Sequence, residues 1–394
     1  MDLLKVLLII TLASIPTGEV LRVEVTKEMG INLIDIFISI TGLYGVFYVL
    51  KNRIKLLKYE KYFFGFIILC FVFLFINSKS LSSYQLLISF LYPLRFLLLF
   101  MIFSLIRIQK SEFKKILGKI LTFAGLMIVL AGIVQYFLYP ALRNQLYLGW
   151  DEHLYRLFST FLDPNFTAVF IALFLFFILE KLRNSNTGEG KYLFALIFVV
   201  SFISLILTYS RGAILAFAIT SLLYLFSHSY KKYLPVLFLL FALVISIMFV
   251  FKKSEGTDIL RITSTQARLG SSLQAITIFK ENPIFGVGFN AYRFALDRRF
   301  SKDNSENNFP SHSSGTDNSL LFVLATTGVV GFGAYLLFWH SIIIEKLRDR
   351  KSLDSQVAIS SILLLFLSSF FVNALFYTPI MLWFFSSLAI KENN

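Results

Sequence analysis

Long apolar runs recur along almost the whole chain, and no other feature constrains the fold as strongly. They lie near residues 3–17, 31–50, 62–77, 84–106, 120–138, 165–180, 192–208, 212–227, 233–251, 318–344, 356–373 and 376–390. A bilayer core takes roughly 20 apolar residues in helical form. Backbone amides in lipid must be satisfied inside their own segment, so such runs are expected as helices. The chain is 57% hydrophobic and 15% charged, with mean hydropathy +0.75, far from the quarter-charged surface of a soluble domain. The expected fold is an all-α polytopic membrane protein of about twelve transmembrane helices, one membrane domain over 1–394, with one large periplasmic loop at 252–317.

The net charge of +14 is explained by topology and not by nucleic acid. With the amino terminus cytoplasmic, 21 of the 37 Lys and Arg residues fall on the cytoplasmic side and 6 in short opposite loops. That asymmetry is the positive-inside pattern, and it puts both termini in the cytoplasm. Nine more basic residues lie in 252–317, where a long loop escapes the rule. Lys5 followed by an apolar stretch has the outline of a signal sequence, but an uncleaved helix is the expectation. The lone Cys70 lies in an apolar run and cannot form an internal disulfide.

Three outer-face segments and one buried charge carry the candidate chemistry. Arg156 leads into Asp163-Pro164-Asn165, a turn and helix-start signal whose simplest role is capping. Tyr209-Ser210-Arg211-Gly212 joins two spans with almost no linker, pinning Arg211 at the membrane edge. The 252–317 segment contains a helical stretch from about Ser264 to Lys280, with Leu269, Leu273, Ile276 and Phe279 on one apolar face. That pattern reads as a helix lying on the interface, with Arg268 near its start. Arg293, His312, Asp317 and Asn318 follow. Arg95 lies mid-span, where a charge costs about 2.5–3.5 kcal/mol and demands a partner from another span or a wet cavity.

Acidic residues are almost absent from the apolar runs, which weakens ion-coupled transport. The arginines suit phosphate or diphosphate. A histidine or aspartate beside them suits a general base toward a hydroxyl. The implied reaction moves a group from a membrane-bound diphosphate donor to an acceptor hydroxyl, without a metal or other cofactor.

The residues that carry this chemistry resemble the O-antigen ligase and O-antigen polymerase superfamily of bacterial polysaccharide assembly. The matching pieces are Arg156 with Phe161-Leu-Asp163-Pro164-Asn165, Tyr209-Ser210-Arg211-Gly212, Arg268 with Asn282-Pro283-Ile-Phe-Gly286-Val-Gly288-Phe289, and Asp317-Asn318-Ser319-Leu320 through Gly331. The resemblance implies a class C glycosyltransferase-like membrane fold in the bacterial inner membrane. It implies inverting, metal-independent transfer from a polyprenyl-diphosphate-linked glycan to lipid A-core or to a growing glycan. Carried over, Arg211 and Arg268 bind the diphosphate, with Arg156, Asn165, Asn318, Arg95 and Arg293 in support. The family usually has a histidine directly before the asparagine; this chain has Asp317 there and His312 five residues earlier, so both are base candidates. Three readings result: a ligase, a repeat-unit polymerase, and a transporter without covalent chemistry.

Overall fold

The computed structural model describes residues 2–26, 29–148, 151–227, 234–235, 239, 241–242, 246, 254–258, 262–300 and 315–392. In chain order the elements are α1 (Leu3–Ala13), β1 (Arg22–Thr26), β2 (Met29–Asn32), α2 (Leu33–Lys51), α3 (Lys58–Ile76), α4 (Ser83–Arg107), α5 (Ser111–Leu138), α6 (Pro164–Asn184), α7 (Gly188–Leu207), α8 (Arg211–Ser227), α9 (Thr263–Glu281), α10 (Tyr292–Phe300), α11 (Ser319–Arg348), α12 (Leu353–Ser368) and α13 (Thr378–Ile390). Seven of them, α2 to α7 and α11, are long and apolar enough to cross a membrane. Shorter apolar helices are α1, α8, α12 and α13. Most of the apolar run at 233–251, and residues 252–253, 259–261 and 301–314 of the 252–317 segment, lie outside the described residues.

The all-α expectation is corrected at one place. β1 and β2 pair antiparallel, Arg22 opposite Asn32 and Glu24 opposite Gly30. The alternation Arg22-Val23-Glu24-Val25-Thr26 is a strand pattern, and it is too short to register beside the long apolar runs. The hairpin marks one end of the bundle, called here the hairpin end.

Helices start where the sequence supplies a cap. Ser82 Oγ accepts from Gln85 N at 3.2 Å to open α4, and Ser352 Oγ does the same for Ser355 N in α12. Between spans there is little hydrophobic driving force, so close packing holds the bundle. α3 packs on α11, α2 on α4, α6 on α7, and α13 on α4. A buried aromatic cluster fills the junction. Phe63 stacks on Phe100 at 3.8 Å between ring centroids, and Phe338 and Phe385 meet Phe100 edge-on at 5.7 and 5.1 Å. Each such ring pair contributes about 0.5–1.5 kcal/mol beyond area burial.

The end opposite the hairpin carries acids that the hydropathy reading underplayed. Glu60, in the first turn of α3, is fully buried. It accepts from Ser104 Oγ at 2.6 Å and pairs with Arg107 at 3.1 Å. Glu392 pairs with Lys346 at 2.5 Å, and Lys391 pairs with Glu180. These charges sit toward helix ends, at or just beyond the edges of the apolar runs.

One backbone interlock positions the candidate site. α11 is broken at Gly328, whose φ of 61° and ψ of −168° no other residue adopts easily. The break frees carbonyls and amides that segment 283–288 then satisfies. Val287 N donates to Ala325 O at 3.1 Å, Gly288 N to Thr326 O at 3.0 Å, and Val329 N to Pro283 O at 2.9 Å. The two backbones lie so close that a Cβ on Gly328 would meet Ile284 O at 2.2 Å, and one on Gly286 would meet Thr326 C at 2.3 Å. Gly328→Ala is therefore expected to destabilise by about 1–3 kcal/mol from dihedral strain alone, before the clash is counted. A thermal melt of the detergent-purified variant checks this; an unchanged midpoint would show that the interlock is not structural.

Candidate active site

The interlock fixes where α9 and the turn before α11 sit, and between them and the hairpin lies a cavity of about 840 Å³. Of the residues expected from the sequence, Arg95, Asn165, Arg268, Arg293 and Asp317 line it. Arg268 lies on the inward face of α9. Positions 268, 271, 275 and 278 share that face, and Ala275 and Ile278 are buried along it. Leu269 and Leu273, on the apolar face read from the sequence, are exposed. Three- and four-residue spacing fits both faces of α9, and periodicity alone did not say which one meets the bundle.

Asp317 is brought to Arg268 by short links. Ser271 Oγ, one turn beyond Arg268, donates to Thr316 Oγ1 at 3.2 Å. Asn318 Oδ1 caps α11, accepting from Leu320 N at 2.9 Å and Leu321 N at 3.0 Å. Asn318 is thus a positioning residue, occupied by the helix it starts. Asp317 is exposed at the cavity wall. The protein around it still raises its carboxyl above the ordinary value, chiefly by desolvation; Arg268 opposes this, and Asp163 and Asp151 add to it.

Arg211 stands beside this pair without lining the cavity. Its guanidinium donates to Ser264 Oγ at 2.8 Å and Thr265 Oγ1 at 3.3 Å, both one turn before Arg268. The charges of Arg211 and Arg268 act on each other, and such a pair of cations favours an anion between them.

Arg156 is buried behind the site and does not face the cavity. Its Nε donates to Thr208 O at 2.9 Å and its Nη2 to Asn165 Oδ1 at 3.3 Å. Ser210 Oγ donates to the same Asn165 oxygen at 3.1 Å. This knot ties the starts of α6 and α8 to the end of α7, setting where Arg211 emerges. Asp163 Oδ1 caps α6, accepting from Asn165 N at 2.6 Å and Phe166 N at 3.1 Å, as its position before Pro164 suggested.

Arg95 finds its partner on α2: its Nη1 lies 3.4 Å from Asp35 Oδ1. Its guanidinium also covers the Tyr92 ring at 4.5 Å. Arg293 lies over Phe294 at 4.6 Å. His312 lies outside the described residues. Among the described residues no group of three or more His, Cys, Asp or Glu is arranged to hold a metal ion.

The sequence reading missed Glu19, Asp35, Asn373 and Tyr377, all of which line the cavity. Asp35 had a signal, an acid inside an apolar run of a chain that also has an arginine inside one. Glu19, Asn373 and Tyr377 belong to short turns with no pattern of their own.

Residues 196–336 match the family model described as O-antigen ligase. This match supports the O-antigen ligase and polymerase superfamily. The matched segment contains Arg211, Arg268, Arg293, Asp317 and Asn318, and also both halves of the Gly286–Gly328 interlock. Arg95, Asn165 and the hairpin are contributed from outside it. No curated protein matches the chain.

Proposed function

We propose that the chain transfers a glycan from a polyprenyl-diphosphate carrier to an acceptor hydroxyl at the hairpin end of the bundle, in the manner of an O-antigen ligase. The observation that carries this reading is the meeting of Arg268 and Asp317 in one cavity, with Arg211 beside Arg268. Asp317 takes the proton of the acceptor hydroxyl. The hydroxyl oxygen forms a bond to the anomeric carbon as the bond from that carbon to the diphosphate oxygen breaks. Polyprenyl diphosphate leaves with the electron pair, and Arg268 and Arg211 stabilise its developing charge. His312 is the second base candidate. Attack opposite the leaving group inverts the anomeric centre, and no step requires a metal.

The basic segments between spans favour a bacterial inner-membrane orientation with the hairpin end periplasmic. The exposed Leu269 and Leu273 favour α9 as an interfacial helix within the 252–317 loop.

A reconstituted assay tests the reading. Protein in liposomes receives a polyprenyl-diphosphate oligosaccharide, with and without lipid A-core, in EDTA. Product that requires the core is the expected ligase result. A ladder of longer lipid-linked glycans without core would make the chain a polymerase of the same superfamily. No product with several donors would overturn the transferase reading and leave transport.

A further inference from the structure

The cavity is longer than a diphosphate requires, and its far end has a different chemistry. Two carboxylates and two guanidinium groups face each other there. Glu19 Oε2 lies 3.4 Å from Arg22 Nη1, and Asp35 Oδ1 lies 3.4 Å from Arg95 Nη1. Charge-assisted pairs normally close to about 2.7–2.9 Å; Arg22 makes its close pair with Glu24, at 2.8 Å, so Glu19 and Asp35 are held loosely and keep capacity for another partner. Glu19 is buried. It is fixed by a tight turn: Gly18 has φ +51°, and Glu19 N donates to Thr160 O at 2.8 Å.

Aromatic faces complete this end. The Tyr377 ring stacks on Phe166 at 4.2 Å, and its hydroxyl donates to Glu19 Oε1 at 3.1 Å. A carboxylate can only accept, so the Tyr377 hydroxyl is the donor of this pair. Four residues earlier in the same wall, Asn373 Oδ1 is buried with no hydrogen-bond partner among the described residues. A buried orphan acceptor in a cavity wall points to a donor that arrives with a ligand.

We infer that this Glu19–Asp35 end, with Tyr92, Asn373 and Tyr377, is the acceptor subsite and takes a neutral sugar. The inference rests on the transferase reading above. A pyranose offers alternating hydroxyl donors and acceptors around an apolar C–H face. Carboxylates, an amide and guanidinium groups match the hydroxyls, and flat rings match the face. With Glu24 also on Arg22, the carboxylates here outnumber the guanidinium groups, so an added anion gains nothing, whereas Arg211 and Arg268 favour one at the other end. The two ends adjoin through Asp163, whose charge acts on both Tyr377 and Asp317. An acceptor bound here therefore presents its hydroxyl toward Asp317.

Transfer kinetics in proteoliposomes test this, with a lipid-linked neutral oligosaccharide as acceptor and its uronic acid counterpart as comparison. Tyr377→Phe and Glu19→Gln are expected to raise the acceptor KM about tenfold or more, the loss of a hydrogen bond to a charged group. The donor KM stays within about twofold, and the wild type prefers the neutral acceptor. Equal rises in both KM values, no rise in either, or preference for the uronic acid would overturn the subsite. Tyr377→Phe keeps the ring and the stack, so it carries the test if Glu19→Gln does not fold. Donor binding to the wild type separates the two claims: its absence removes the underlying reading, while intact donor binding with unchanged acceptor KM in both variants removes only the subsite.

Discussion

On the proposed transferase function, Arg268→Ala is expected to lower glycan transfer by about a hundredfold to a thousandfold, the cost of removing one charge-stabilising donor from a pre-organised site. Arg268 faces the cavity from α9, with Asp317 and Arg211 both in electrostatic reach. Its loss leaves the diphosphate with a single strong partner while the negative charge on the leaving oxygen grows. Arg268→Lys recovers only part of the rate, because an ammonium cannot make the forked contact. The measurement is initial rate in proteoliposomes at matched protein content, with insertion checked by protease protection. Wild-type rate in Arg268→Ala would end the diphosphate assignment.

Asp317→Asn has a comparable effect, about a hundredfold to ten-thousandfold on kcat, the usual contribution of a positioned base. It also changes the pH profile. The Asp317 carboxyl is raised above its ordinary value of 3.8, chiefly by desolvation from the surrounding protein. A base works only when deprotonated, so activity is full above the raised value and is lost as pH falls through it. The acid limb of the wild type therefore lies above the ordinary carboxylate range, and in Asp317→Asn that limb disappears along with most of the rate. A limb near 6.5 that vanishes in His312→Ala and persists in Asp317→Asn would make His312 the base.

Most of the helical layout was legible because lipid makes a severe demand: an apolar run of sufficient length has few other ways to satisfy its backbone. The runs at 31–50 and 84–106 became α2 and α4 with boundaries close to those read. Arg268 and Asp317 were legible as chemistry, since arginine and a carboxylate near the ends of apolar runs stand out. Their meeting was not, because it depends on Ser271 reaching Thr316 and on the Gly328 break, both long-range events. Arg156 and Asn318 looked functional for the same reason that they are structural. Polar side chains at helix junctions are needed to satisfy exposed backbone ends, as the Arg156 bond to Thr208 O and the Asn318 cap illustrate. The acidic end of the cavity escaped notice because Glu19 and Tyr377 are far apart in sequence and meet only through a turn fixed by Gly18 and Thr160.

The Gly286–Gly328 interlock also bears on how such a chain can change over time. The relative placement of α9 and the turn before α11 rests on main-chain hydrogen bonds between segment 283–288 and residues 325–329 and on the close approach that Gly286 and Gly328 allow. Side chains lining the cavity from the hairpin, α2 and α4 take no part in that joint. Substitutions there are free to reshape what the cavity accepts while the transfer chemistry stays in place. On the proposed function, the fold keeps the joint that places Arg268 and Asp317 apart from the wall facing them, and a designer seeking a new acceptor would begin at Ile36, Leu91 and Tyr92 and leave the glycines alone.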